Sequence, residues 1–249
     1  MQGVWNELKQ PWSDQVKGSW WKAPLLIVAY FYVRVLAETW VIRRGAFNAE
    51  VELTVDTLTE GNLLNLMTHA PIEYFLQTLG LTVLIIVTGK LLKFKFFDFK
   101  SFTWKNVLKA LKIYILIYFA QVLLNIIIAL FAPDYLQPGN QAAVESLVQN
   151  MSPILMFINI VILTPITEEY ILRGLIMKYT FSLMPIVGAF VAAVIFTMLH
   201  SPANWIDFMV YFVLSAGFTF VYLYTRRLEY PILLHIIQNF IGFIAIQML

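Results

Sequence analysis

The sequence predicts an all-α fold, a polytopic bundle of about seven transmembrane helices. Of its 249 residues, 60% are hydrophobic and 13% charged, with a mean hydropathy of +0.74. A soluble domain is nearer about half apolar and about a quarter charged. Seven Trp, twelve Tyr and twenty Phe suit a broad lipid-facing and interfacial surface. Apolar stretches long enough to cross about 30 Å of hydrocarbon, roughly 20 residues each, recur along the chain.

The first expected span lies near 24–42. Ahead of it stand Glu7, Lys9, Asp14, Lys17 and Lys22 with no early apolar stretch. No cleavable signal peptide is therefore expected, and the first span should stay as an anchor. Residues 50–69 contain Glu50, Glu52, Asp56 and Glu60, which predicts a surface amphipathic helix. They would add an eighth span only if they dipped into the membrane. His69, beside Thr68 and Pro71, reads as an ordinary interfacial residue.

Further spans are expected near 72–92 and 113–132. Between them stand Lys90, Lys93, Lys95, Lys100, Lys105, Lys109 and Lys112, against Asp98 alone. Lysines in short loops favour the cytoplasm and contact with anionic lipid. Loop 133–150 has no Lys or Arg, carries Asp134 and Glu145, and is expected outside. Spans near 153–179, 184–200, 206–225 and 231–248 complete the set, and Arg226 and Arg227 close the sixth on the cytoplasmic side. The chain then reads as a multi-pass protein of the cell membrane with a cytoplasmic N-terminus. With no linker, repeat or low-complexity tract, 1–249 reads as a single membrane domain.

Composition also narrows function. A net charge of +2 gives no argument for nucleic acid, and zero Cys excludes disulfides, thiolate nucleophiles and cysteine–zinc sites. Ionisable groups in hydrocarbon are costly and normally face a partner or a water-filled cavity. They read as concentrated in the second half of the chain. Thr164-Pro165-Ile166-Thr167-Glu168-Glu169-Tyr170-Ile171-Leu172-Arg173-Gly174 puts two carboxylates and a guanidinium in an apolar stretch. Glu169 and Arg173 share a helix face and can pair. Glu168 points about 100° away, which leaves it free for another task. His200 follows Phe196 by one turn, and Asn239 follows His235 by one turn.

Met184-Pro185 marks the turn between two of these helices, with Met184 midway between Glu168 and His200. At about 1.5 Å per residue both lie roughly 24 Å from that turn, which predicts that they meet. Pro165 should break or kink its helix. His235, close to the Arg226–Tyr230 turn, should be shallower than His200, a tension the sequence leaves open.

Amide hydrolysis needs an activated water, a proton shuttle and an oxyanion stabiliser. Ser182, Ser201 and Ser215 lack the Gly-x-Ser-x-Gly setting of a serine elbow. Glu168 can activate water, and His200 can orient it or carry its proton. His235 and Asn239 can donate to the oxyanion, with Glu169 and Arg173 shaping the site. Two His and one Glu could instead hold zinc with an open position. There is no His-Glu-x-x-His pair or Asp cluster, and a site with neither metal nor cofactor is the preferred reading. A purely structural Glu–Arg pair is the bland alternative for any one of these groups.

These residues resemble the CPBP family, the CAAX proteases and bacteriocin-processing enzymes also called the Abi family. The family pattern is Glu-Glu-x-x-x-Arg, Phe-x-x-x-His and His-x-x-x-Asn. It stands here as Glu168-Glu169-x-x-x-Arg173, Phe196-x-x-x-His200 and His235-x-x-x-Asn239. The run Gly217–Asn239 also resembles the family's approach to its last motif, although Thr225-Arg226-Arg227 replaces the common Arg-Thr-Gly. The resemblance covers about residues 160–240. It implies a catalytic helix core over 151–249 and a variable region of spans and loops over 1–150. It further implies a metal-independent intramembrane glutamate endopeptidase: Glu168 as base, His200 as its partner, His235 and Asn239 at the oxyanion, Glu169, Arg173 and Phe196 shaping the site. The expected partners are the lipid bilayer and a membrane-associated peptide or protein precursor. The oligomeric state has no signature in the sequence. A second class of function stays open, a non-catalytic scaffold or immunity protein binding through loops 43–70 and 133–150. A proton-coupled transporter is less favoured, because the two halves hold no matching broken helices.

Overall fold

The computed structural model describes residues 8–12, 16–54, 59–97 and 103–248. Glu7, Asp14, Asp56, Asp98 and Lys100 lie outside these residues. Among the described residues the fold is all helical and without strands. In chain order the helices are α1 (Ser19–Asn48), α2 (Glu60–Thr68), α3 (Pro71–Leu91), α4 (Trp104–Phe131), α5 (Gly139–Asn150), α6 (Pro153–Thr180), α7 (Pro185–Leu199), α8 (Trp205–Thr225) and α9 (Glu229–Gln247).

Six of these, α1, α3, α4, α6, α8 and α9, are long and apolar enough to cross a membrane, and α7 is a shorter apolar helix of 15 residues. All seven expected spans are therefore helices, and the protein is a multi-pass membrane protein. Two of them, α1 and α4, run well beyond the expected limits, and the others agree with those limits within two residues. Hydropathy sees the apolar middle of a helix, whereas its ends reach into polar interfaces. The expected surface helix over 50–69 is confined to α2, and loop 133–150 contains a helix, α5, that hydropathy alone does not reveal.

The lipid-facing helices and the inner helices divide the work. The apolar segment of α4 is only 11% buried, while those of α6 and α8 are 50% buried. The main core is built on Tyr170, Leu172, Leu175 and Tyr179 of α6, closed by residues of α1, α3, α7 and α8. A second cluster joins α4 to α8 and α9 through Tyr114, Phe218 and Leu234.

Helix α6 is not a uniform α-helix. Phe157–Leu163 and Tyr170–Thr180 run in wide turns with hydrogen bonds to the fifth preceding residue, on either side of a short α-helical piece, Thr164–Glu169. Pro165 opens that piece and has no N–H to give to the turn before it. Below it, Thr180 Oγ1 and the Phe181 N–H donate to the carbonyls of Leu175 and Ile176. Wide turns of this kind occur often at functional sites.

Helix α7 stops at Leu199. His200 caps it, Ser201 takes a left-handed φ of 48°, and Pro202 cannot continue the helix. Asn204 then caps α8 by accepting from the N–H groups of Ile206 and Asp207 at 2.8 and 3.0 Å. Asp207 accepts from the Tyr135 hydroxyl at 2.7 Å and from the Ala203 N–H at 3.0 Å. That ties the loop after α4 to the turn that follows His200. Burial first, and then the bond to Asp207, push the Tyr135 hydroxyl well above the usual tyrosine range.

Candidate active site

Glu168 and Glu169 sit at the lower end of the α-helical piece of α6, and the following wide turns carry Arg173. Arg173 Nη1 donates to Glu169 Oε1 at 2.9 Å, and both side chains are fully buried. Arg173 Nη2 reaches across to α8, donating to the Ser215 carbonyl and hydroxyl at 2.8 and 2.9 Å and to the Thr219 hydroxyl at 3.2 Å. Its guanidinium also lies over the rings of Phe196 and Phe218, 5.5 and 5.9 Å from their centroids. A buried cation held on so many sides fixes its carboxylate partner.

His235 of α9 completes this cluster. Its Nδ1 donates to Glu169 Oε1 at 3.0 Å, while its Nε2 faces Glu168 Oε2 at 3.8 Å. The ring stacks on Phe218 at 4.9 Å. The depth count predicted a shallower His235; in the structure it reaches both carboxylates from α9, and α6 runs in wide turns directly after them.

His200 sits at the same cavity without a hydrogen bond to Glu168. Its Nδ1 donates to the Phe196 carbonyl at 2.8 Å, which leaves Nε2 as the lone-pair nitrogen of the neutral ring. Phe196 and Tyr211 hold the imidazole between them, each with its centroid 4.4 Å away and interplanar angles of 33° and 29°. Asn239 Nδ2 donates to the Ile160 carbonyl at 2.9 Å, in the upper wide turn of α6. That turn frees backbone carbonyls, and Asn239 uses one of them as an anchor.

Glu168, His200, His235 and Asn239 line one cavity of about 530 Å³. The volume lies within the range of about 300–1,000 Å³ found for ligand clefts. Glu168 is 23% exposed to it, yet its Oε2 has no hydrogen-bond partner. Among the described residues, no three His, Asp or Glu side chains converge in a way that could hold a metal ion. His69 lies apart, exposed at the end of α2, with its Nδ1 on the Asn65 carbonyl at 2.9 Å.

The cavity also has a wall that the motif reading overlooked. Tyr30, Arg34 and Glu38 of α1, and Tyr74 and Gln77 of α3, face the same space. Charged groups in the membrane are thus not confined to the second half of the chain. An Arg and a Glu spaced i,i+4 inside the first apolar span were the available signal. Tyr211, which stacks on His200, carried none.

Residues 150–241 match the family described as Type II CAAX prenyl endopeptidase Rce1-like. The chain is 33% identical over 101 residues to the membrane-embedded CAAX protease MroQ of Staphylococcus aureus (strain USA300), a match to 38% of this chain and 39% of that protein. It is 30% identical over 154 residues to the UPF0177 protein YaiF of Lactococcus lactis subsp. lactis (strain IL1403), covering 58% of this chain and 66% of the relative. The UPF0177 protein YajF of the same strain is 27% identical over 165 residues, covering 65% and 78%. No solved structure matches the chain. Glu168, Glu169, His200, His235 and Asn239 all fall within residues 150–241, the stretch that matches the Rce1-like CAAX prenyl endopeptidase family.

Proposed function

We propose that this protein hydrolyses a peptide bond of a membrane-associated peptide or protein precursor, using a water activated by Glu168. The observation that carries the proposal is a Glu168 oxygen without a hydrogen bond at the cavity that also holds His200 and Asn239, beside a second carboxylate whose Oε1 is held by both Arg173 and His235. Two adjacent carboxylates in such different surroundings suit two different tasks.

In this reading water sits between Glu168 and His200. Glu168 takes a proton from it as its oxygen bonds to the carbonyl carbon. His200, with its Nε2 lone pair toward the cavity, orients the water and shuttles the proton. The carbonyl oxygen becomes an oxyanion, and the Asn239 amide, which carries a second N–H beyond the one given to Ile160, donates to it. Glu168 or His200 then returns the proton to the departing nitrogen as the C–N bond breaks. His235 links the two carboxylates and positions Glu168. No step requires a metal or a cofactor.

The placement of the chain in a cell membrane, with a cytoplasmic N-terminus, belongs to the same proposal and rests on the Lys90–Lys112 and Arg226–Arg227 charges. The test is peptidomics of membranes from cells carrying wild type, Glu168→Gln or His200→Ala at equal protein level. Fragments present only with wild type support hydrolysis and name the substrate. Identical fragments in all three would shift the account to a non-catalytic scaffold.

A further inference from the structure

Arg34 stands in the middle of α1, with apolar residues on both sides along the span. Its Nε donates to Glu38 Oε1 at 2.7 Å, one turn on. Among the described residues, its Nη1 and Nη2 make no other hydrogen bond, and the side chain is 45% exposed. An Arg–Glu pair of this spacing on one exposed helix face adds little to stability by itself. It does not account for a guanidinium at this depth, where a charge normally marks a ligand path.

The surroundings say what the free edge faces. Tyr30, Arg34 and Glu38 repeat one turn apart on α1 and line the cavity that contains Glu168. Arg34 and Glu168 are close enough for their charges to interact. Beside α1, Gln77 of α3 lines the same cavity and is 9% exposed, and its Oε1 is buried without a partner. Tyr74, one turn before Gln77, also lies within reach of the Arg34 charge. The cavity therefore offers a planar fork of N–H donors and an unused amide acceptor, away from the Glu169–Arg173–His235 cluster. A guanidinium fork matches a carboxylate through two parallel hydrogen bonds. A carboxylate attached to a peptide brings a backbone N–H with it, which is what Gln77 Oε1 lacks.

We propose that Arg34 and Gln77 form a specificity subsite that takes a carboxylate of the peptide substrate, with the Arg34 Nη fork on the carboxylate and Gln77 on the neighbouring backbone N–H. The carboxylate is either the peptide's C-terminus or an acidic side chain. Glu38 holds Arg34 by Nε and turns the fork toward the cavity, but its own charge competes with the ligand. The subsite rests on the protease reading for its purpose, since it would set how far from the carboxylate the scissile bond lies.

The test uses the full chain in lipid nanodiscs and hydrophobic octapeptides in three versions: free C-terminal acid, C-terminal amide, and amide with one internal Glu. Binding is measured in a Glu168→Gln background, and cleavage in the otherwise wild-type chain. The free acid or the internal-Glu amide should bind at least about tenfold tighter than the plain amide, as a charge-assisted pair implies. Arg34→Gln should bring the acid down to the amide and leave the amide unchanged. Arg34→Lys should keep part of the preference, and Glu38→Gln should increase it. Tight binding of the internal-Glu amide assigns the carboxylate to a side chain, and weak binding assigns it to the terminus. Equal losses for acid and amide in Arg34→Gln, or no preference in the parent, overturn the subsite. Cleavage without acid preference leaves the protease and removes the subsite, whereas acid preference in a folded protein that cleaves nothing does the reverse.

Discussion

Arg173 and Glu169 are both fully buried, and in such a pair the cost of removing one partner exceeds the value of the pair itself. Arg173→Met should strand the Glu169 charge and destabilise the fold by about 3–5 kcal/mol. Adding Glu169→Gln to that variant should recover part of the loss, because no buried charge is then left unpaired. Thermal unfolding of the detergent-solubilised variants checks both. Most of this cluster was legible in the sequence: i,i+4 spacing alone pairs Glu169 with Arg173 and separates Glu168 from both. What spacing could not give was the partner from another helix. His235 reaches the carboxylates from α9, and no residue pattern announced either that contact or the wide winding of α6 between Tyr170 and Thr180. For His200 the sequence supplied the ring's same-helix neighbour, Phe196, but not Tyr211, which meets it from α8.

Helices approach most closely where a glycine lets them. At Gly45 of α1 an added Cβ would run into the Leu66 carbonyl of α2, a backbone atom that cannot swing away. Gly45→Ala should therefore push α2 off α1 and cost about 1–3 kcal/mol, as overpacking does. The loss should appear in thermal unfolding. If the site proposal holds, it should appear in peptide binding as well, because Leu64 and Met67 of α2 line the cavity. At Gly80, which does not line the cavity, a Cβ would meet nothing within 4 Å, so Gly80→Ala serves as the control. The seven apolar helices were legible, since apolar stretches of about 20 residues have few other uses. The short α2 was legible as a surface helix within 50–69, whereas helix ends and the short α5 were not, because polar, weakly periodic residues carry no hydrophobic signal.

A chain without cysteine allows its own topology to be mapped. Exposed positions at opposite ends of α4 make the simplest pair, Lys105→Cys and Leu136→Cys. In intact cells an impermeant maleimide should label Leu136→Cys and spare Lys105→Cys until the membrane is opened. The reverse pattern would invert the orientation inferred from the lysines without changing the fold. On the proposed orientation α6 descends toward the cytoplasm and α7 rises from it. The cavity that joins Glu168 and His200 is bounded by helices from both halves of the chain, with α1 and α3 as one wall.

The central claim is that Glu168 activates the water that cleaves the peptide. The most direct measurement is single-turnover cleavage of an identified substrate by purified protein in liposomes, comparing wild type with Glu168→Gln at matched thermal stability and with a chelator present throughout. The account predicts cleavage by wild type despite the chelator, and a rate lower by about 10²–10⁴-fold in Glu168→Gln, the usual contribution of a general base. Undiminished cleavage by a folded Glu168→Gln protein would contradict it.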